Sequence, residues 1–233
     1  MKAISSMATR HLLVELAEAA LAAGLPEVSI ESVGGVDAAS RVASGEQVDL
    51  VFLASGAMDE LASGEHIDDA ARAPLVVSHV ALAVPDESGQ AAAAAPGASP
   101  SMEDFRAALL AARRIGYSTG PSGTALLDRI RAWGLEDELS GRLERARPGV
   151  PVAQLIARGD VDLGVQQVSE LVGQPGVRLL GTLPPEAGFD ARFDGAVAAL
   201  ATDPVPARRV LEFFASDSVA AIKSRLHFSV PSE

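Results

Sequence analysis

The strongest constraint on this chain is an alternation of short apolar runs with amphipathic stretches, each pair separated by a polar, often glycine-containing break. Residues 48–54, Val-Asp-Leu-Val-Phe-Leu-Ala, are too short for a buried helix and are bounded by Gly45 and by Ser55-Gly56. They predict a buried strand over Asp49–Leu53, followed by a short helix over Ala57–Ala62. The same alternation begins at the amino terminus, where Ala3-Ile4 is a short strand candidate. Arg10–Ala23 then sets Leu13, Leu16, Ala17, Ala20 and Leu21 on one helical face, and Gly24 and Pro26 stop it. Residues 28–33 alternate as a strand, and a helix is expected over Asp37–Ala43. Pro74–Val84 reads as one long apolar strand, with Asp68-Asp69 before it as a solvated turn. Strands that alternate with helices imply βαβ units and a largely parallel sheet.

The pattern breaks at Pro85–Ser101, which is rich in Ala, Gly and Pro and is expected to be a surface loop. It then resumes. Helices are expected over Met102–Ala112, Thr124–Trp133, Val152–Arg158 and near Val168–Val172, with strands over Arg114–Tyr117, Val161–Val165, Val177–Leu183 and Gly195–Leu200. Helices over Pro206–Arg225 and a docking strand at His227–Val230 close the chain.

Composition removes several classes of function. With 48% hydrophobic residues the chain can bury a sizeable core, and a net charge of -12 argues against nucleic acid as a partner. There is no cysteine, so disulfides and thiolate chemistry are excluded. No apolar run approaches the roughly 18 residues of a membrane span. Met1-Lys2-Ala3-Ile4 leads straight into Ser5-Ser6 rather than into an apolar signal core. A cytoplasmic location is expected if Met1 is native, and a periplasmic one if a signal peptide has been removed.

No dinucleotide fingerprint, phosphate-binding P-loop, zinc-protease or nucleophile-elbow motif is present. The four histidines, His11, His66, His79 and His227, lack metal-ligand spacing, so neither a metal nor a cofactor is expected. The informative segments are polar loops between a strand and a helix: Ser5–Thr9, Gly34–Asp37, Ala54–Gly56 and Ser118–Thr124. In α/β folds such loops lie where ligands bind, and the helix that follows points free N–H groups at them. Hydroxyls beside those amides suit a small anion, although N-capping alone explains any one of them.

The order of elements resembles the type II periplasmic-binding fold, and specifically the molybdate-binding family, which also includes aconitate isomerase. The matching stretches are Val28–Gly35, Ser44-Gly45 with Val48–Ala54, Val80–Pro85, Leu155–Val165, Leu180–Pro184 and Arg209–Val230. The resemblance implies an α/β chain of two lobes with mixed, mostly parallel sheets and crossing hinge strands. Residues 1–81 and 194–233 would form one lobe and 82–193 the other, with the ligand in a cleft between them. It also implies hinge closure around a small organic or inorganic anion, and an ABC transporter as partner only if the protein is exported.

Two departures shape the functional expectation. The molybdate binders place a serine directly after the paired glycine, where Val36 stands here, and a tyrosine after the late strand, where Gln166-Gln167 stand. Loss of two hydroxyl donors favours an organic anion. The aconitate isomerase of the family it resembles, together with the lack of an export signal, implies as the first reading an intracellular isomerase that shifts a proton along a small unsaturated di- or tricarboxylate. The alternative is a non-catalytic solute-binding protein for molybdate, tungstate or another small anion. His11 or His79 would carry the proton, since imidazole titrates near neutral pH. Ser6, Thr9, Arg10, Gly35, Val36, Ser55, Thr119, Ser122, Gly123, Gln166 and Gln167 are the candidate ligand contacts.

Overall fold

A computed structural model describes residues 1–86, 100–147 and 149–231. In chain order the strands and helices are β1 (Lys2–Ser6), α1 (Arg10–Ala22), β2 (Ser29–Val33), α2 (Gly35–Ala43), β3 (Leu50–Ala54), α3 (Ser55–Ser63) and β4 (Ile67–Ser78). There follow β5 (Val80–Pro85), α4 (Met102–Ala111), β6 (Ile115–Tyr117), α5 (Pro121–Ala132), α6 (Glu136–Leu139) and β7 (Leu143–Arg145). The chain ends with α7 (Val152–Ala157), β8 (Leu163–Gln167), α8 (Val168–Leu171), β9 (Val177–Thr182), β10 (Ala191–Ala198), α9 (Pro204–Ala215), α10 (Ala220–Arg225) and β11 (Phe228–Ser229). Most of the expected Pro85–Ser101 loop lies outside the described residues. Among those residues no helix is long and apolar enough to cross a membrane.

The chain divides into two compact units, one of Met1–Ser78 with Ala191–Glu233 and one of His79–Asp190. Unit 1 holds a six-stranded sheet in the order β11-β4-β10-β3-β1-β2, and unit 2 a five-stranded sheet in the order β7-β6-β8-β5-β9. Each sheet is mixed. β1 runs parallel to β2 and β3, and β6 parallel to β7 and β8, whereas β10 and β5 are antiparallel to both of their neighbours. The parallel majority expected from the βαβ pattern therefore holds for only one side of each sheet, because β5 and β10, each the first strand after a passage between units, run against both of their neighbours.

Burial explains the individual elements. β3 is apolar throughout because helices cover both faces of its sheet, which leaves it buried from Leu50 to Leu53. One face packs Leu50 and Phe52 with Leu12, Leu13, Leu16, Phe193 and Phe214, and Phe52 stacks on Phe214 with ring centroids 5.6 Å apart. The other packs Val51 and Leu53 with Val42, Met58 and Leu61. Helix α1 buries Leu12, Leu13, Leu16 and Ala20, so its apolar face is turned from the expected one, and Leu21 is 54% exposed. Leu21 shares the last turn with the buried Ala20 but is itself turned out of the core. Gly24, at φ +80°, then ends the helix: its N–H bonds the carbonyl of Leu21, and the Leu25 N–H bonds that of Ala20.

The long strand expected over Pro74–Val84 is two strands in different sheets, parted at His79. The turn expected at Asp68-Asp69 is instead the start of β4, with Asp68 opposite Val197. Helix α5 begins three residues earlier than expected, with Pro121 in its first turn, where a missing N–H costs nothing.

Candidate functional site

In unit 1 the carboxyl ends of β1, β2 and β3 lie side by side, with Ser6 opposite Val33 and Ser5 opposite Phe52. Each strand runs into a helix start: β1 through a 3-10 turn at Met7–Thr9 into α1, β2 through Gly34 into α2, and β3 directly into α3. The unbonded amides of three helix N-termini therefore gather at one end of the sheet. Ser6 is 7% exposed, and its Oγ has no hydrogen-bond partner. Gly35 brings α2 against it: a Cβ at Gly35 would sit 3.6 Å from the Ser6 Cβ.

The other unit 1 candidates are already engaged or exposed. Ser5 Oγ shares a hydrogen bond with Ser32 Oγ at 2.7 Å. Thr9 is buried, and its Oγ1 donates to the Ser6 carbonyl at 3.4 Å. Ser55 Oγ donates to the Arg192 carbonyl at 3.2 Å. Val36 projects outward at 78% exposure. Arg10 and His11 are exposed, with Arg10 Nη2 at 3.2 Å from His11 Nε2.

Sequence reasoning missed the brace behind this end of the sheet. Arg72 donates through Nε and Nη2 to Asp194 Oδ2 at 2.8 and 2.6 Å, through Nη1 to Asp59 at 2.6 Å, and through Nη2 to the Ser55 carbonyl at 3.1 Å. Burial works against the Arg72 charge, but the hydrogen bonds to Asp59 and Asp194 outweigh it and hold its pKa above the ordinary value. The brace fixes the start of α3 to β4 and β10. Its only sequence signal is an arginine between the Asp68-Asp69 pair and the apolar run that begins at Pro74.

In unit 2 the loop after β6 carries the corresponding donors. Ser122 is fully buried in the first turn of α5; its Oγ lies 3.0 Å from Ser118 Oγ and donates to Gln167 Oε1 at 3.1 Å. The Gly120 N–H donates to Ser118 Oγ at 3.2 Å. Gly123 makes this turn possible, because a Cβ there would meet the Ser118 carbonyl oxygen at 1.8 Å. Gln167, at the end of β8, is 2% exposed, and its Nε2 has no partner. Its neighbour Gln166 is satisfied at both ends: Oε1 accepts from the Val152 N–H at 2.8 Å, and Nε2 donates to Glu170 at 2.6 Å. Thr119 is exposed.

His79 opens unit 2 immediately before β5, whose Val80 pairs with Gln167, and its carbonyl accepts the Val168 N–H at 2.9 Å. Its Nδ1 lies 3.0 Å from Asp190 Oδ1, and this hydrogen bond raises its pKa above the ordinary 6.5. The structure thus gathers Ser118, Ser122, Gly123 and Gln167, with His79 immediately before the adjoining strand β5. It keeps Arg10 and His11 on a different unit from them. Among the described residues no cluster of His, Asp and Glu could hold a metal ion. A depression of about 510 Å³ lined by Lys2, Asp49, Thr202 and Asp203 lies at the opposite, amino ends of β1 and β3. There the Asp49 oxygens are taken by the N–H groups of Lys2 and Thr202.

Residues 2–229 match the family described as bacterial extracellular solute-binding protein, and the chain belongs to that family. It is 31% identical over 196 residues to a protein from a Pseudomonas species described as aconitate isomerase, covering 83% of this chain and 72% of the relative. The Azotobacter vinelandii periplasmic molybdate-binding protein superimposes with a TM-score of 0.78 at 17% identity, covering all of both chains. The tungstate ABC transporter structure from Geobacter sulfurreducens gives 0.71 at 15% identity, covering 97% of each. At such identities the likeness carries the fold alone, which is the α/β type II periplasmic-binding fold.

Proposed function

We propose that this member of the solute-binding family binds a small unsaturated di- or tricarboxylate and isomerises it by moving a proton from one end of an allylic system to the other. The observation that carries this reading is the 31% identity, over 83% of the chain, to a relative described as aconitate isomerase. Each unit by itself carries a neutral donor without a partner at its strand ends, the Ser6 hydroxyl in unit 1 and the Gln167 amide in unit 2. Neutral donors and helix N-termini suit a carboxylate without a compensating cation.

The chemistry is balanced without a cofactor. A base takes the allylic proton, the C–H electron pair forms the new C=C bond, the old double bond's electrons reach the far carbon, and an acid protonates it. Of the two candidate histidines, His79 is the better suited carrier. Asp190 orients its ring through Nδ1 and supports the imidazolium that forms when Nε2 accepts a proton. His11 is the second candidate.

A second reading, binding without chemistry in service of an ABC transporter, is favoured by the uncharged character of the unpaired donors, which equally suits molybdate or tungstate. One experiment separates the two. Thermal unfolding is measured against molybdate, tungstate, sulfate and small di- and tricarboxylates, where a ligand at 100 times its Kd adds about 2.7 kcal/mol of stability. Each hit is then followed by proton NMR in heavy water. Carboxylate binding with deuterium exchange or a moving double bond supports the isomerase. Stabilisation by molybdate or tungstate alone, with no exchange, overturns it in favour of the binding protein.

A further inference from the structure

We propose that Gln167, and not the Ser122 hydroxyl, is the side chain of unit 2 that contacts the ligand, and that it selects for ligand atoms that only accept hydrogen bonds. This rests on the anion-binding reading above. A serine hydroxyl has one proton to give. Ser122 gives its proton to Gln167 Oε1 at 3.1 Å and so has none for an anion. Ser118 Oγ, 3.0 Å from Ser122 Oγ, donates to it in turn, and itself accepts from the Gly120 N–H at 3.2 Å. Donation therefore runs in one direction, from the Gly120 amide through Ser118 and Ser122 to the amide oxygen of Gln167. At the end of this relay the Gln167 NH2 has no partner, on a residue 2% exposed.

With its oxygen held by Ser122, Gln167 presents donors only, and successive hydrogen bonds polarise those donors further. Gln166 supplies the contrast one residue away: both ends of its amide are consumed, which is the pattern of a structural glutamine. An unpaired buried donor carries a desolvation cost that an acceptor offsets. A carboxylate or oxyanion oxygen meets that requirement, whereas a protonated group at the same place sets donor against donor. Ser118 and Ser122 are accordingly positioning residues.

The test uses the full chain and isothermal titration with trans-aconitate and with molybdate as probes. Gln167→Glu keeps an oxygen for Ser122 and replaces the donor with an anionic acceptor. It is expected to weaken binding of whichever probe the wild type takes by about 100-fold. Ser122→Ala, which only releases the amide orientation, is expected to weaken it by about 3- to 10-fold, with Ser122→Thr restoring most of the loss. Gln167→Met, of similar size and without a donor, serves if Gln167→Glu fails to fold, and is expected to lose at least about 10-fold. Wild-type binding with Gln167 variants within about threefold of it overturns this inference and leaves the anion reading intact. So does a loss in Ser122→Ala equal to that in Gln167→Glu. A wild type that binds neither probe overturns this inference, and the thermal panel then decides the broader reading.

Discussion

Replacing Asp190 by Asn keeps an oxygen facing His79 and removes the charge. The two side chains are 28% and 31% exposed and meet at 3.0 Å, so the pair is neither fully screened nor desolvated. Exposed pairs contribute up to about 1 kcal/mol after screening and side-chain ordering, and partial burial puts this one near the top of that range. Asp190 raises the His79 pKa in the folded state above its ordinary 6.5. Its stabilisation is therefore complete below that ordinary value and is lost as pH rises through the raised one. At about pH 5.5 the wild type should exceed Asp190→Asn by about 1 kcal/mol, or about 2–4 °C in Tm for a chain of this length. At about pH 9 the two should melt together. Differential scanning calorimetry of both proteins across this range makes the comparison, since every other titrating group cancels in the difference. A gap that stays constant with pH, or widens as pH rises, would refute the reasoning.

Three further outcomes are expected. Gly123→Ala forces a methyl into the Ser118 carbonyl and should cost at least about 2 kcal/mol by urea unfolding; a neutral result would mean that the loop relaxes freely. Asp194→Ala strips Arg72 of its best-buried partner and should cost about 3 kcal/mol, measured the same way, with Asp59 unable to compensate; a loss under about 1 kcal/mol would show that the brace is not structural. Phe52→Ala removes a fully buried ring stacked on Phe214 and should cost about 3–5 kcal/mol, a cavity effect checked by calorimetry and contradicted by a change in Tm of less than about 2 °C.

The βαβ alternation was legible because each unit's strands are short, apolar and punctuated by glycine or polar caps. What escaped was set by partners distant in sequence. Pro74–Val84 is apolar on both sides of a break at Ser78-His79, and nothing local reveals that β4 pairs with β10 while β5 pairs with β8 and β9. Asp68-Asp69 reads as a solvated turn because the adjacent charges break the period, yet Asp68 is matched by Arg208, and Arg72 nearby by Asp194, both from the far end of the chain. The strand-end loops could be named from their hydroxyls and glycines. Which donor each loop leaves unpaired could not. Adjacent strand residues face opposite ways, so Gln166 meets the start of α7 while Gln167 meets Ser122, and only the register tells them apart.

Unit 2 interrupts unit 1, and β10 lies between β4 and β3 in the unit 1 sheet. During synthesis from the amino terminus, residues 79–190 are therefore complete before unit 1 can be. Until Ala191–Ala198 emerges, the Leu50–Leu53 edge of β3 lacks its antiparallel neighbour and presents an apolar, unpaired strand. A chain that stops before β10 would hold a contiguous second unit beside a first unit with an aggregation-prone edge. The carboxyl-terminal fifth of the sequence thus supplies the strand that covers this edge.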